Sequence, residues 1–482
     1  MRIDTLIHGI ETLSVQGKND RDVANVAFNS AEVQEGGLFV AIKGYVSDGH
    51  TYIADAIQKG AHVIVCQELP GELKENVTWI KVADSRHALS IIACNWYGNP
   101  SREIKLVGVT GTNGKTTIAT LLYKVNTGLG YRAGILSTIE VIINGEKFPA
   151  THTTPDPLQI NMWLRKMVDA SCEYCFMEVS SHAVKQQRIA GLVFTGGIFT
   201  NITHDHLDYH ADFRDYLEAK QAFFTMLPKN AFGLVNGDDR NGMIMLERTA
   251  AKKYRYSLQS LADFQGKVTE LLFEGMLLDI NDKEVWVKVT GRFNASNILA
   301  VYGTSVLLGH KAEEILEQIS LVDPAEGRFD IVSSKSGAIA VVDYAHTDDA
   351  LKNVLETIHE VNAGGKEIVT VVGAGGDRDK SKRKKMGNVA AAFSDKVILT
   401  SDNPRGENPD DIMREMEAGI DPQNINKILK IQDREEAIKT ACMLAGENAI
   451  VLVAGKGHEK YQEINGRRIH FDDKEVIKKY LN

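Results

Sequence analysis

The residues with the clearest chemistry are Gly111-Thr112-Asn113-Gly114-Lys115-Thr116-Thr117, where a lysine and two hydroxyls follow a pair of glycines. An apolar run over 105–110 leads into them, and helix-compatible sequence begins at Lys115. Glycines let backbone N–H groups turn toward phosphate oxygens, and a helix N-terminus adds a favourable dipole. Lys115 is placed to bridge β- and γ-phosphates, and Thr116 to ligate Mg²⁺. Val109 stands where the common phosphate loop has its first glycine. The segment reads as an ATP site, with a plain structural turn as the alternative, and it leaves the second substrate open.

Two further tracts carry acids and imidazoles. Met177-Glu178-Val179-Ser180-Ser181-His182 follows an apolar strand, which puts Glu178 at a strand end near the phosphate loop of an α/β sheet. An acid there suits Mg²⁺, which takes oxygen ligands; a solvated or capping acid is the alternative. Asn201-Ile202-Thr203-His204-Asp205-His206-Leu207-Asp208-Tyr209-His210 raises a rival, because zinc hydrolases use a His-x-His-x-Asp-His cluster to activate water. Tyr209 breaks that spacing, and a hydrolase built on His204, His206 and His210 leaves the phosphate loop without a role. A polar loop without metal is the third reading. The stretch 216–224 has the pattern of an amphipathic helix, on which Lys220 taken alone is an ordinary surface lysine. Cys172 and Cys175 form a CxxC with no second pair and read as core cysteines.

The elements that must position these groups follow a βα alternation. The runs 37–42 and Ala61–Cys66 read as strands, with a helix entering from Gly49-His50-Thr51-Tyr52-Ile53. Turn formers at Tyr97-Gly98-Asn99-Pro100-Ser101 mark one boundary and Pro324-Ala325-Glu326-Gly327-Arg328 another. Strand–helix units run between them from Lys105 to about residue 325, as for a sheet covered on both faces. Strands at 338–342, Glu367–Val372, 396–400 and 450–454 make a third α/β unit. The 482 residues thus fall into three α/β domains, 1–100, 101–327 and 328–482, close to the roughly 150 residues of an ordinary domain.

With 43% hydrophobic and 25% charged residues the mixture is globular. A net charge of −9 argues against nucleic-acid and membrane-surface partners. No apolar run reaches the roughly 18 residues of a membrane span, and Met1-Arg2-Ile3-Asp4 does not open a signal core. Five cysteines are no disulfide framework and fit a reducing cytoplasm. The basic run over 380–385 reads as a solvated loop.

Taken in order, GTNGKTT at 111–117, His152-Thr153-Thr154-Pro155, EVSSHAVKQQR at 178–188, NITHDHLDYH at 201–210, EAK at 218–220, GRFNASN at 291–297, GRFD at 327–330 and DYAHT at 343–347 resemble the Mur ligase family. That family joins amino acids to UDP-muramoyl peptides in peptidoglycan synthesis. The resemblance implies a UDP-binding N-terminal domain, a central ATP-binding domain on a P-loop-type, mostly parallel sheet with flanking helices, and a Rossmann-like C-terminal domain that binds the amino acid. It implies ATP and Mg²⁺, phosphorylation of a carboxylate, and attack of an amine on the acyl phosphate. It also implies a cytoplasmic monomer.

Carried over by the same resemblance, Lys115, Glu178, His206 and Lys220 form the catalytic set. Thr116, Glu178, His206 and Lys220 hold magnesium, Lys220 as a carbamate, which turns a cation into an anion. Asn297, Arg328, Asp343 and His346 join the phosphate loop around ATP. Ser30, Thr153, Thr154, Ser180, Gln186 and Arg188 match contacts to the UDP-N-acetylmuramoyl dipeptide, although Asn29-Ser30-Ala31 stands where the family often has Asp-Ser-Arg. Asp348 and Lys384 replace usual prolines.

GGDRDKSKR at 375–383, Asp402-Asn403-Pro404-Arg405 and Gly455-Lys456-Gly457-His458-Glu459 resemble the branch that extends UDP-N-acetylmuramoyl-L-alanyl-D-glutamate. Its usual third residues, meso-diaminopimelate and L-lysine, differ by one distal carboxylate. A pocket for the former needs a cation, and arginine grips a carboxylate with two parallel hydrogen bonds. Arg405 is such a residue, and Pro404 stiffens its loop. By resemblance Arg378, Gly455 and Glu459 complete the pocket, with Glu459 toward the distal ammonium. The expected activity is an ATP-dependent ligase for meso-diaminopimelate. L-lysine addition, the zinc hydrolase and a nucleotide-dependent binding switch are the alternatives.

Overall fold

Three large β-sheets and a two-stranded ribbon follow one another along the chain. The computed structural model describes residues 1–18, 20–44, 47–150, 152–203, 209–334, 337–445 and 449–481. In the first sheet the strands lie in the order Thr12–Gln16, Thr78–Val82, Ala61–Cys66, Gly37–Val40, Val26–Ala27, parallel except for the first pair. Ala61–Cys66 is buried at every position but His62, as a central parallel strand covered on both faces must be.

The second sheet has eleven strands. At its centre Lys105–Thr110 runs parallel to Tyr174–Glu178 on one side and Gly196–Phe199 on the other. Period-2 alternation sends Val107 and Val109 into one core, with helices Lys115–Gly128 and Arg292–Leu307. Leu106 enters the opposite core, with Pro157–Asp169 and Phe213–Thr225. The strand–helix alternation expected to about residue 325 is interrupted. Phe264–Leu272, Gly275–Ile280 and Lys283–Val287 form an antiparallel wing, and Glu140–Ile143 with Glu146–Pro149 forms another at the far edge. Asn144-Gly145 and Asn281-Asp282 make two of the turns, with positive φ at both central residues. That backbone matches the twist of a two-residue hairpin, so Asn-Gly was a legible signal.

The third sheet runs Asp330–Ser333, Ile339–Asp343, Ala449–Ala454, Glu367–Val372, Lys396–Leu399, Ile428–Lys430, all parallel but the first. The loops that follow four of these strands therefore meet at one end of the sheet, where α/β folds bind ligands. The ribbon Tyr461–Ile464 and Arg467–His470 lies beside one of them through a bridge between Arg405 and Ile464. The basic run is not a solvated loop. Ser381–Phe393 is a helix, and Arg383 in its first turn is fully buried, paired with Glu407 and Glu415 at 2.9 and 2.8 Å. Acids from a distant helix and turn draw it inward. Among the described residues no helix is long and apolar enough to cross a membrane.

Candidate active site

The phosphate loop follows Lys105–Thr110 directly. Gly114 caps the helix Lys115–Gly128 with φ +87°, and a Cβ there would lie 2.6 Å from Asn297 Oδ1. Glycine thus allows Asn297 to close against the loop. The backbone N–H groups of Thr112 and Asn113 donate to the carbonyl and side-chain oxygens of Asn201, both at 2.9 Å. Lys115 Nζ donates to the carbonyls of Gly111 and Thr112 at 2.8 Å, so its ammonium lies across the loop. Thr117 is buried in the first helical turn.

Glu178 ends its strand opposite Val109, just ahead of the phosphate loop, and is fully enclosed. Its carboxylate accepts from Thr116 Oγ1 at 2.9 Å, Thr138 N at 2.8 Å and Thr138 Oγ1 at 3.1 Å. That enclosure removes the solvated-acid reading. A hydroxyl and a carboxylate side by side on a phosphate loop are the oxygen donors that Mg²⁺ takes. Thr154 Oγ1 donates to the Glu178 carbonyl at 2.8 Å and accepts from Ser180 N at 3.1 Å. Thr138 Oγ1 reaches Thr153 Oγ1 at 3.0 Å.

Lys220 is not a surface lysine. Its side chain is 1% exposed, donates to the Gly111 carbonyl at 2.9 Å and stands 4.5 Å from the centre of the Tyr216 ring. Tyr216, Lys220, Phe223 and Phe224 share the buried stripe of the helix Phe213–Thr225 at i, i+4, i+7 and i+8. The spacing from Tyr216 was the signal that placed Lys220 inward. His204 and His206 lie outside the described residues. His210 has both ring nitrogens engaged, Nδ1 3.1 Å from Asp215 Oδ2 and Nε2 3.0 Å from Ser181 Oγ, and burial holds its pKa below the usual value. Asp215 also binds Lys185. Among the described residues no three His, Cys, Asp or Glu groups cluster as a metal site. Cys172 and Cys175 are buried free thiols whose burial raises their pKa, as core cysteines should be.

A cavity of about 690 Å³ opens between the first two sheets, lined by Ser30, Arg86, Gln186 and Arg188 among others. Arg188 donates to the Thr154 carbonyl at 2.6 Å and to Gln186 Oε1 at 3.0 and 2.6 Å, and Gln186 Nε2 reaches Tyr209 Oη at 3.2 Å. Arg86 is a cation of this cavity that the sequence did not single out. Only the approach of its helix Ser85–Trp96 to the central sheet brings it there.

Residues that flank the third sheet reach the phosphate loop at two points. Arg328 Nη2 lies 3.5 Å from Thr116 Oγ1, and Asn113 Nδ2 donates to Asp349 Oδ2 at 3.1 Å. Asp343 accepts from the N–H groups of Phe329 and Ala345 at 2.7 Å, and burial raises its carboxyl despite the opposing charge of Arg328. His346 Nδ1 stands 2.8 Å from the Tyr344 carbonyl, on the same turn.

Further out, Asp402, Asn403, Pro404 and Arg405 follow Lys396–Leu399, while Gly455 and Glu459 follow Ala449–Ala454. Gly455 has φ +116°, and a Cβ there would lie 2.5 Å from Asp402 Oδ2, so the two loops touch. Asn403 Nδ2 donates to Glu459 Oε2 at 2.8 Å. Arg405, itself in the left-handed region at φ +50°, donates to the Gly376 carbonyl at 2.7 Å and lies 3.7 Å from Glu463 Oε2. Arg378 extends the Gly376 loop. Burial, then Asp402, pushes the Glu459 carboxyl above its usual range.

Three family models match the chain: a Mur ligase family catalytic domain over residues 22–97, a Mur ligase middle domain over 109–305, and a Mur ligase glutamate ligase domain over 327–457. The chain is 53% identical over 482 residues to UDP-N-acetylmuramoyl-L-alanyl-D-glutamate--2,6-diaminopimelate ligase of Bacteroides fragilis, covering 100% of this chain and 99% of that one. It is 54% identical over 478 residues to the protein of the same name from Phocaeicola vulgatus, covering 99% of each. A solved structure of a ligase with that name matches at TM-score 0.70 and 28% identity, covering 100% of this chain and 98% of the other. MurF ligase from Thermotoga maritima in complex with ADP shares the fold at TM-score 0.61 and 21% identity, over 89% of this chain and 93% of the other.

Proposed function

Because the chain belongs to the Mur ligase family, with whole-length relatives more than half identical, we propose that it is the ATP-dependent ligase that adds meso-diaminopimelate to UDP-N-acetylmuramoyl-L-alanyl-D-glutamate in peptidoglycan precursor synthesis. The observation that carries the reading is the approach of Arg328 to the Thr116 hydroxyl. It brings the phosphate loop together with the residues that lead into the third sheet, as a three-substrate reaction requires.

In this reading residues 1–100, 101–327 and 328–482 bind UDP, ATP and the amino acid. Gly111 to Thr117 wrap the ATP phosphates, and Lys115 turns from the loop carbonyls to the β- and γ-phosphates. Asn297, Arg328, Asp343 and His346 border the rest of the nucleotide. Thr116 and Glu178 would hold one Mg²⁺, and His206 with a carbamylated Lys220 a second. When bound, the ions neutralise charge on the transferring phosphoryl group. Ser30, Thr153, Thr154, Ser180, Gln186 and Arg188 fix the nucleotide dipeptide so that its terminal carboxylate faces the γ-phosphorus.

That carboxylate oxygen displaces ADP, forming an acyl phosphate. The amine of diaminopimelate then attacks the carbonyl carbon, inorganic phosphate leaves, and an amide bond remains. Arg405, with Arg378, Asp402, Asn403, Pro404 and Gly455, takes the distal carboxylate end of the amino acid, and Glu459 faces its ammonium. The enzyme acts as a cytoplasmic monomer, without nucleic-acid or membrane partners.

Phosphate release from ATP and Mg²⁺ with UDP-N-acetylmuramoyl-L-alanyl-D-glutamate, adding meso-diaminopimelate or L-lysine in parallel, tests this. The expected result is release, and a tripeptide mass, with diaminopimelate alone. A lysine product overturns the specificity, and no amino-acid-dependent release overturns the ligase.

A further inference from the structure

The loop after Ala449–Ala454 carries a second lysine inside the protein. The Lys456 side chain is fully buried, with Nζ 3.1 Å from Asn403 Oδ1, 3.3 Å from Glu459 Oε2 and 5.4 Å from the centre of the Tyr461 ring. Asn403 Nδ2 donates to the same Glu459 Oε2 at 2.8 Å, and the N–H of Glu463 donates to Asn403 Oδ1 at 2.9 Å. Lysine, amide and carboxylate close a triangle whose members come from two loops. Two donors converge on one carboxylate oxygen, and neither uses Oε1.

We propose that Lys456 is a positioning residue of the amino-acid pocket: its ammonium anchors Glu459 by Oε2 and so presents Oε1 to the ammonium of the incoming diamino acid. The inference rests on the diamino-acid reading above and deepens it. A carboxylate held at one oxygen by two donors has lost most of its rotational freedom, and a preorganised partner spends less on ordering when the ligand arrives.

Charge supports the same role. The groups that face Glu459 are Asp402, Lys456 and Asn403, with Arg434 and the phenols of Tyr344 and Tyr461 further out. Burial and Asp402 raise the Glu459 carboxyl, while Lys456 and the Asn403 amide lower it. Without Lys456 the repulsion from Asp402 is less opposed, so Glu459 protonates at a higher pH. A neutral carboxyl attracts an ammonium poorly. The weakening of amino-acid binding is therefore greatest at low pH and fades as rising pH ionises Glu459.

The test is steady-state phosphate release at saturating ATP and nucleotide dipeptide, with meso-diaminopimelate varied from about pH 6 to about pH 8.5. Lys456→Met, similar in length and uncharged, should raise the KM for diaminopimelate about tenfold at pH 7. The KM for ATP should not move, and the defect should shrink toward the alkaline end. Glu459→Gln should also raise that KM, and Lys456→Met/Glu459→Gln should be no worse than Glu459→Gln alone, because the lysine acts through the carboxylate. Should Lys456→Met not fold, Lys456→Gln keeps a donor without the charge and should show a smaller rise with the same pH trend. An unchanged KM for diaminopimelate, a pH-independent defect, or additive effects in the double variant would overturn the role of Lys456. Wild-type enzyme inert toward diaminopimelate would instead overturn the reading on which it rests.

Discussion

The phosphate loop and the proposed amino-acid pocket both lie at the carboxyl ends of parallel strands, yet they are held by different means. Around Gly111 to Thr117 the backbone carbonyl of Gly111 accepts from both Lys115 and Lys220. Around Asp402 to Arg405 side chains also bond to one another, Asn403 to Glu459 and Lys456 across two loops to Asn403 and within its own loop to Glu459. The first site leans on loop backbone, with Glu178 and Asn201 closing on it from neighbouring strands, and the second on charges that must balance between loops. A backbone-built site recognises what every ATP shares. A side-chain-built site can discriminate, because each removed partner leaves another buried group unsatisfied.

The largest effect should come from the phosphate loop. Lys115→Ala is expected to lower kcat by about 10³-fold, the usual cost of removing a charge that stabilises a phosphoryl transition state. A rapid-quench measurement of acyl-phosphate formation checks it, and a loss confined to the amide step would erase the contrast between the sites. Lys220→Ala should cost about 10²-fold and recover in part with short carboxylates or high carbonate. Full activity without additives would remove the carbamate. Arg405→Ala should raise the KM for diaminopimelate about tenfold while leaving that for ATP in place; equal shifts in both would mean the loop only supports the fold.

The smallest effect concerns stability. Beside Arg383 the Glu407 carboxyl is held down at about 2, against an ordinary 4.5. A depressed carboxyl stabilises the folded state above about pH 4.5, and that contribution fades as pH falls toward about 2. Glu407→Gln should therefore melt a few degrees below wild type at pH 7, with the two curves converging near pH 2. A constant gap at every pH would make the role of Glu407 one of shape.

The same contrast governs what could be read from the chain. The phosphate loop and Glu178 were legible because glycines, lysine and a strand-end acid sit in one local pattern. The strands Ala61–Cys66, Lys105–Thr110 and Glu367–Val372 were legible because both-face burial makes a continuous apolar run. Arg383 was misread as solvated because residue type outweighed position, and residue type alone also put Lys220 on the surface, so that only the family resemblance drew it inward. Lys220 takes its place from the helix face of Tyr216 and Phe223, and Arg383 from acids in residues 407 and 415. The antiparallel wings were missed although Asn144-Gly145 marked one turn. Arg86 had no local signal, since its cavity exists only once two sheets meet.

Those wings alter how the central sheet breathes. Glu146–Pro149 and Lys283–Val287 form its two margins, charged and short, as exposed edges tend to be. Two strands separate Tyr174–Glu178 from one margin, and four separate Gly196–Phe199 from the other. Fraying begins at margins, where amides trade hydrogen for solvent deuterium soonest. The strands beneath the phosphate loop should therefore be among the last to exchange, so that Glu178 keeps its register while the rim of the sheet opens and closes.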